Sequence, residues 1–158
     1  MTFFFIVFFL ILAVLLYYAI AMEKEKKQQQ ELYIQRKKQE IRNLTNNVLE
    51  VSPERFFELK KHVSADDDCE GVYIFLNHTK QKHYVGQAKH MFQRVNNHLS
   101  GRGNGDVYAD YKYGDDFTIK MVELKNSGFS TLNELERNMI MAYDAYTNGY
   151  NRTRGNKG

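Results

Sequence analysis

The hydrophobic pattern changes character three times along the chain. Residues 3–22, FFFIVFFLILAVLLYYAIAM, carry no charged side chain. Twenty such residues, rising about 1.5 Å each, reach about 30 Å, the thickness of a bilayer's hydrocarbon core, and read as a spanning helix. From Glu23 to about Glu50 the chain is rich in Gln, Lys and Glu without Pro or Gly, the composition of a solvated helix. Within it Ile34, Ile41 and Val48 recur every seven residues, with Leu44 and Val51 three further on. That seam would make a short zipper weakly joining two copies, although Lys37 interrupts it. The other reading is a monomeric spacer whose basic residues lie against anionic headgroups. Ser52-Pro53-Glu54 resembles an N-cap with proline at the first helical position, opening a second helix to about His62. Ala65-Asp66-Asp67-Asp68 is a polar break, and consecutive aspartates in a loop read as solvated charge before they read as a metal site.

After the break the period shortens to that of strands. Val72–Leu76 and His83–Gly86 are β-branched and aromatic runs joined by residues 77–82, which predicts a β-hairpin. A helical pattern follows over residues 89–99, with Phe92, Val95 and Leu99 on the apolar face and Arg94 and His98, four apart, together on a neighbouring one. Gly101–Gly105 lacks the context and lysine of a phosphate-cradling loop and reads as a mobile turn. Phe117–Leu124 reads as a third strand. Thr131-Leu132-Asn133-Glu134 matches a capping box opening a helix with Leu132, Leu135, Met139 and Tyr143 as its stripe, closed by Gly149. The expected architecture is α/β, a small three-stranded antiparallel sheet flanked by helices. The expected divisions are a membrane helix at 1–22, a polar helical connector at 23–63, an acidic loop at 64–70 and the globular domain at 71–158.

Charge and composition sharpen this in two places. The net charge is +3, but the part from Gly71 onward carries twelve Lys and Arg against eight Asp and Glu, which fits a polyphosphate partner. A single cysteine, Cys69, excludes an internal disulfide framework and a cysteine-ligated zinc site. Tyr17 and Tyr18 sit where aromatic rings favour the headgroup zone, and the Lys-rich run from Lys24 flanks only the C-terminal side, which places the domain in the cytoplasm. The rival is a cleaved signal peptide ending near Ala19-Ile20-Ala21; the missing basic n-region and the long apolar core speak against it.

Gly71-Val72-Tyr73, Tyr84-Val85-Gly86 with its tyrosine eleven positions after Tyr73, Arg94, His98, Glu136 and Asn148-Gly149-Tyr150-Asn151 resemble the GIY-YIG nuclease superfamily in order and spacing. The resemblance covers about half the chain. Valine replaces isoleucine in both tripeptides, which keeps a β-branched strand residue. Gln87 stands near the place where some members carry an assisting lysine.

The resemblance implies a DNA endonuclease in which Glu136 holds a single Mg²⁺, with Mn²⁺ substituting. Arg94 would bind the scissile phosphate, Tyr84 act as general base with Tyr73 in its water network, or the two tyrosines in exchanged roles. His98 would assist, and Asn151 orient the site. Glu134 has a structural task in the capping box, which leaves Glu136 as the carboxylate free for function. Taken singly each residue has a plainer reading: the tyrosines as sheet packing, His98 as a capped or surface imidazole, Arg94 and Glu136 as a salt bridge. The whole predicts a nuclease tethered to the lipid bilayer through residues 3–22, meeting phage or plasmid DNA as it enters. A secreted scavenging nuclease and a tethered DNA-binding module without catalysis are the alternatives.

Overall fold

The computed structural model describes residues 2–64 and 66–156, and the chain forms two compact units, Met1–Lys37 and Lys38–Gly158. The first helix, α1, spans Thr2–Leu44. In the first unit it is the helix long and apolar enough to cross a membrane, and none of its apolar window is covered by protein. An N-terminal signal sequence passes the same test of length and composition.

Helix α1 stops at Leu44 rather than near Glu50. Thr45, Asn46 and Asn47 follow, residue types whose side chains compete for backbone hydrogen bonds, and Thr45 Oγ1 donates to the Arg42 carbonyl (2.8 Å). The chain then forms β1 (Glu50–Val51) and α2 (Pro53–Lys60), whose N-cap Ser52 accepts from the Arg55 N–H. Next come β2 (Gly71–Asn77), β3 (Lys82–Ala88), α3 (Met91–Leu99), α4 (Gly105–Lys112), β4 (Phe117–Glu123) and α5 (Leu132–Ala142).

The sheet therefore has four strands, not three, in the order β1-β4-β2-β3, every pair antiparallel. The added strand comes from the segment read as connector, where Glu50 and Val51 pair with Lys120 and Ile119. Alternation along β2 divides the core into two layers. Val72 and Ile74 pack with Val85, Leu135, Met139 and Ile140 under α5, while Tyr73 and Phe75 pack with Phe56, Val95, Leu99 and Val107 under α2, α3 and α4. Fully burying each of these apolar side chains contributes about 1.5–3 kcal/mol.

This division takes up part of the zipper seam, although Leu44 stays 46% exposed. Ile41 and Val51 are each 5% exposed inside the domain and Val48 packs against the cluster that contains Ile41, so these heptad positions are used within one chain. Helix α5 is opened as expected, with Thr131 Oγ1 accepting from the Glu134 N–H (3.2 Å) and Glu134 Oε2 accepting from the Ser130 N–H (3.4 Å). It closes earlier than Gly149, because Asp144 adopts φ 51 two residues after Ala142. Aspartate tolerates that left-handed conformation, and Lys38 and Arg42 both pair with its carboxylate.

Candidate active site

The site gathers around β3, an edge strand whose alternation sends Tyr84 to one face of the sheet and Gln87 to the other. On the first face Tyr73 lies opposite Gly86 in the ladder, and its ring crosses that glycine. A Cβ at residue 86 would stand 2.2 Å from Tyr73 Oη, so only glycine admits the tyrosine there. Rings of Tyr73, Tyr84 and His98 then form a closed set, with centroids 6.2 Å apart for Tyr73–Tyr84, 5.3 Å for Tyr73–His98 and 5.0 Å for Tyr84–His98.

His98 is fully buried, not a surface imidazole. The Asn104 backbone N–H donates to its Nδ1 (2.8 Å), and Nε2 lies 3.0 Å from Tyr73 Oη. With Nδ1 an acceptor, the neutral ring carries its hydrogen on Nε2 and donates to the tyrosine. The neutral state is favoured: burial, with the Arg94 charge adding to it, lowers His98 from the ordinary 6.5 to about 4.

The glycine cluster read as a mobile turn builds this contact. A Cβ at Gly103 would lie 2.4 Å from His98 Nδ1, and Asn104 caps α4 by accepting from the Asp106 and Val107 N–H groups. Helix α4 itself lies outside the elements expected from the sequence pattern.

Arg94 is exposed on α3 and, among the described residues, forms no ion pair with Glu136 or any other carboxylate. Its charge acts instead on the aromatic set, where burial pushes Tyr73 and Tyr84 above the ordinary tyrosine value and Arg94 opposes the rise. Asp68 anchors the helix that presents Arg94, its two carboxylate oxygens accepting from the Phe92 and Gln93 N–H groups (2.8 and 2.9 Å). Part of the acidic run thus serves as a helix cap rather than as solvated charge.

Glu136 approaches from the α5 side of the sheet and is 8% exposed. Its Oε2 accepts from Gln87 Nε2 (3.1 Å) and from the Asn156 N–H (3.3 Å). Gln87 is a residue sequence reasoning noticed only as a departure; its place on the α5 face of β3 follows from strand parity with Val85. Glu136 is near enough to Tyr84 for its charge to raise the tyrosine. Asn151 makes a two-point clamp on β3, its Oδ1 accepting from the Val85 N–H (2.9 Å) and its Nδ2 donating to the Val85 carbonyl (2.8 Å). Being next to Tyr84 in the strand, that clamp fixes the tyrosine's backbone.

No group of three or more His, Cys, Asp or Glu side chains gathers into a ready metal cage among the described residues. One carboxylate with a second oxygen left unbonded does suit Mg²⁺, a hard cation that keeps several waters and takes one or two carboxylates plus substrate phosphate. Cys69 is uninvolved: its thiol donates to Glu123 Oε1 (3.4 Å), and burial raises its pKa.

A buried phenol, a half-buried one and a neutral imidazole held at an accessible guanidinium, with a carboxylate across the strand, are suited to phosphate ester chemistry, and the class this defines is that of nucleases. Residues 69–151 match the model of the GIY-YIG catalytic domain, and the chain belongs to the GIY-YIG family. Among solved structures it resembles the catalytic domain of the intron endonuclease I-TevI in a mutant form, at 20% identity and a TM-score of 0.41, over 56% of this chain and 98% of that one. No curated protein matches the chain.

The buried His98 and the half-buried His83 make stability pH-dependent. His83, on the opposite face beside Tyr143, is also lowered to about 4, by burial first and the Arg42 charge second. The unfolded chain takes up protons at about 6.5 and the folded one only near 4, so stability is complete above 6.5 and lost as pH falls through that window. The thermal midpoint should drop by roughly 5 °C or more between pH 7.5 and pH 5. A midpoint constant over that range would contradict the neutral state of both rings.

Proposed function

We propose that the protein is a membrane-anchored, Mg²⁺-dependent DNA endonuclease acting on DNA that arrives at the membrane, such as phage or plasmid DNA. The observation that carries the nuclease part is the set Tyr73–His98–Tyr84 beside an Arg94 with no carboxylate partner. A guanidinium without a carboxylate partner in a basic domain is available to a phosphate, which it can bind with two parallel hydrogen bonds.

The direction of the hydrogen bonds favours Tyr84 as the base. His98 donates to Tyr73, so the hydrogen of Tyr73 is free to point elsewhere, and a hydrogen bond from Tyr73 lowers Tyr84 against the effect of burial. Tyr84 in its phenolate form, stabilised by the hydrogen bond from Tyr73, would take the proton of the attacking water and become the neutral phenol, and Asn151 would keep the strand in place. Glu136, oriented by Gln87, would hold the cation, whose contribution when bound is to offset charge on the phosphate oxygens.

Residues 3–22 would lie in the bilayer, with the Lys-rich run after Glu23 on the cytoplasmic side. An anchored nuclease is poorly placed to search a chromosome and well placed to meet entering DNA. Replacing residues 1–22 by a single initiator Met is expected to leave plasmid cleavage in vitro unchanged while weakening protection of cells against injected DNA. An unrelated membrane helix with the same orientation should restore protection. Equal protection by the soluble form would remove the membrane-gated reading, and a domain found outside the cell by protease accessibility would favour the secreted scavenger.

A further inference from the structure

The match to the family domain ends at Asn151, and five described residues follow it. They return along α5. The Arg154 guanidinium sits over the Tyr146 ring at 5.3 Å, and Gly155 adopts φ 98 against the helix. A Cβ there would lie 2.8 Å from Arg137 Cγ, so the approach needs glycine in both conformation and space. Arg137 Nη1 donates to the Asn156 carbonyl (3.1 Å), and the Asn156 N–H donates to Glu136 Oε2 (3.3 Å). Gln87 Nε2 donates to the same oxygen (3.1 Å), and it also reaches Asn133 Oδ1 (2.7 Å).

Two N–H groups from different parts of the chain thus converge on one oxygen of one carboxylate. Among the described residues the other oxygen, Oε1, accepts no hydrogen bond. A carboxylate held this way cannot rotate freely and presents a single oxygen in a single direction. Outer groups of this kind fix a ligand's geometry and tune its hold on a cation.

We propose that the segment Arg152–Asn156 is a positioning element for cation binding: the Asn156 N–H, together with Gln87, locks Glu136 Oε2 so that Oε1 alone is offered to a divalent cation. This rests on the reading of Glu136 as the carboxylate that holds the metal. The tail acts through a backbone group, so the identity of the side chain at 156 is immaterial and the presence of its N–H is not.

The test uses full-length protein in detergent, with Mn²⁺ binding followed by calorimetric titration and plasmid cleavage followed separately across a Mg²⁺ series. Asn156→Pro removes the N–H, and Asn156→Ala keeps it. Gly155→Val lifts the segment by a second route, since a β-branched residue is strained at φ 98. Asn156→Pro and Gly155→Val should each weaken Mn²⁺ binding about tenfold and raise the half-saturating Mg²⁺ concentration to match. The rate at saturating Mg²⁺ and the melting temperature should stay near the parent's, and Asn156→Ala should behave as the parent. The proposal is overturned if the first two variants bind Mn²⁺ like the parent, if Asn156→Ala is impaired equally, or if the saturating rate falls with metal affinity unchanged. Glu136→Gln supplies the separate control: Mn²⁺ binding as strong as the parent's in that variant would overturn the reading of Glu136 itself.

Discussion

Glu136→Gln is expected to lower DNA cleavage by about 10³-fold or more while leaving the fold and DNA binding nearly intact. A lost cation removes several kcal/mol of charge stabilisation from the transition state, and each 1.4 kcal/mol or so is tenfold in rate. The fold should survive because the amide keeps the shape of a side chain that is almost fully enclosed, and its oxygen can still accept from Gln87 and the Asn156 N–H. Glu134 is the internal control. Its carboxylate bonds the Ser130 N–H at the start of α5, so Glu134→Gln should cost a few tenths of a kcal/mol in stability and little activity. An active Glu136→Gln beside an inactive Glu134→Gln would mean that the functional carboxylate has been misassigned.

Arg94→Lys should lose about 10²-fold although the charge is retained. A guanidinium offers a planar pair of N–H groups to two phosphate oxygens, whereas an ammonium is a compact point charge on a flexible stem. Arg94 is exposed and without a carboxylate partner, so the substitution should hardly disturb stability, and lost activity can be read as lost phosphate contact. Comparing kcat with KM then separates grip on the ground state from stabilisation of the transition state. Full activity in the lysine variant would reduce Arg94 to a source of basic field.

Much of the domain was legible because its signals are local. The β2–β3 hairpin follows from two short runs of strand formers, α2 from Ser52-Pro53, and α5 from its capping box. Glu136 emerged by elimination once Glu134 was given its cap. Strand β1 escaped because two residues carry no period, and what makes them a strand is pairing with Lys120 and Ile119, some seventy positions away. Helix α4 had its signals, Asn104 as cap and Asp106 in the first turn, but the surrounding glycines read more strongly as a turn. The apolar residues of the apparent zipper show the converse failure. Ile41 and Val48 do repeat every seven residues, yet the same apolar face satisfies a core in its own chain equally well. The dual role of β3, with Tyr84 on one face and Gln87 reaching Glu136 on the other, could have been drawn from parity but needed α5 to be placed first.

The compact unit also sets where a soluble fragment should start. Ile41 is buried and Lys38 and Arg42 hold Asp144, so a fragment beginning near Val51 would expose core, while one beginning at Lys38 keeps it covered. The most direct measurement is therefore plasmid cleavage by residues 38–158 with and without Mg²⁺. The account predicts conversion of supercoiled plasmid to nicked and linear forms with Mg²⁺ or Mn²⁺, and none after chelation. Plasmid that is bound but left intact in both metals would contradict it and leave a tethered DNA-binding module in its place.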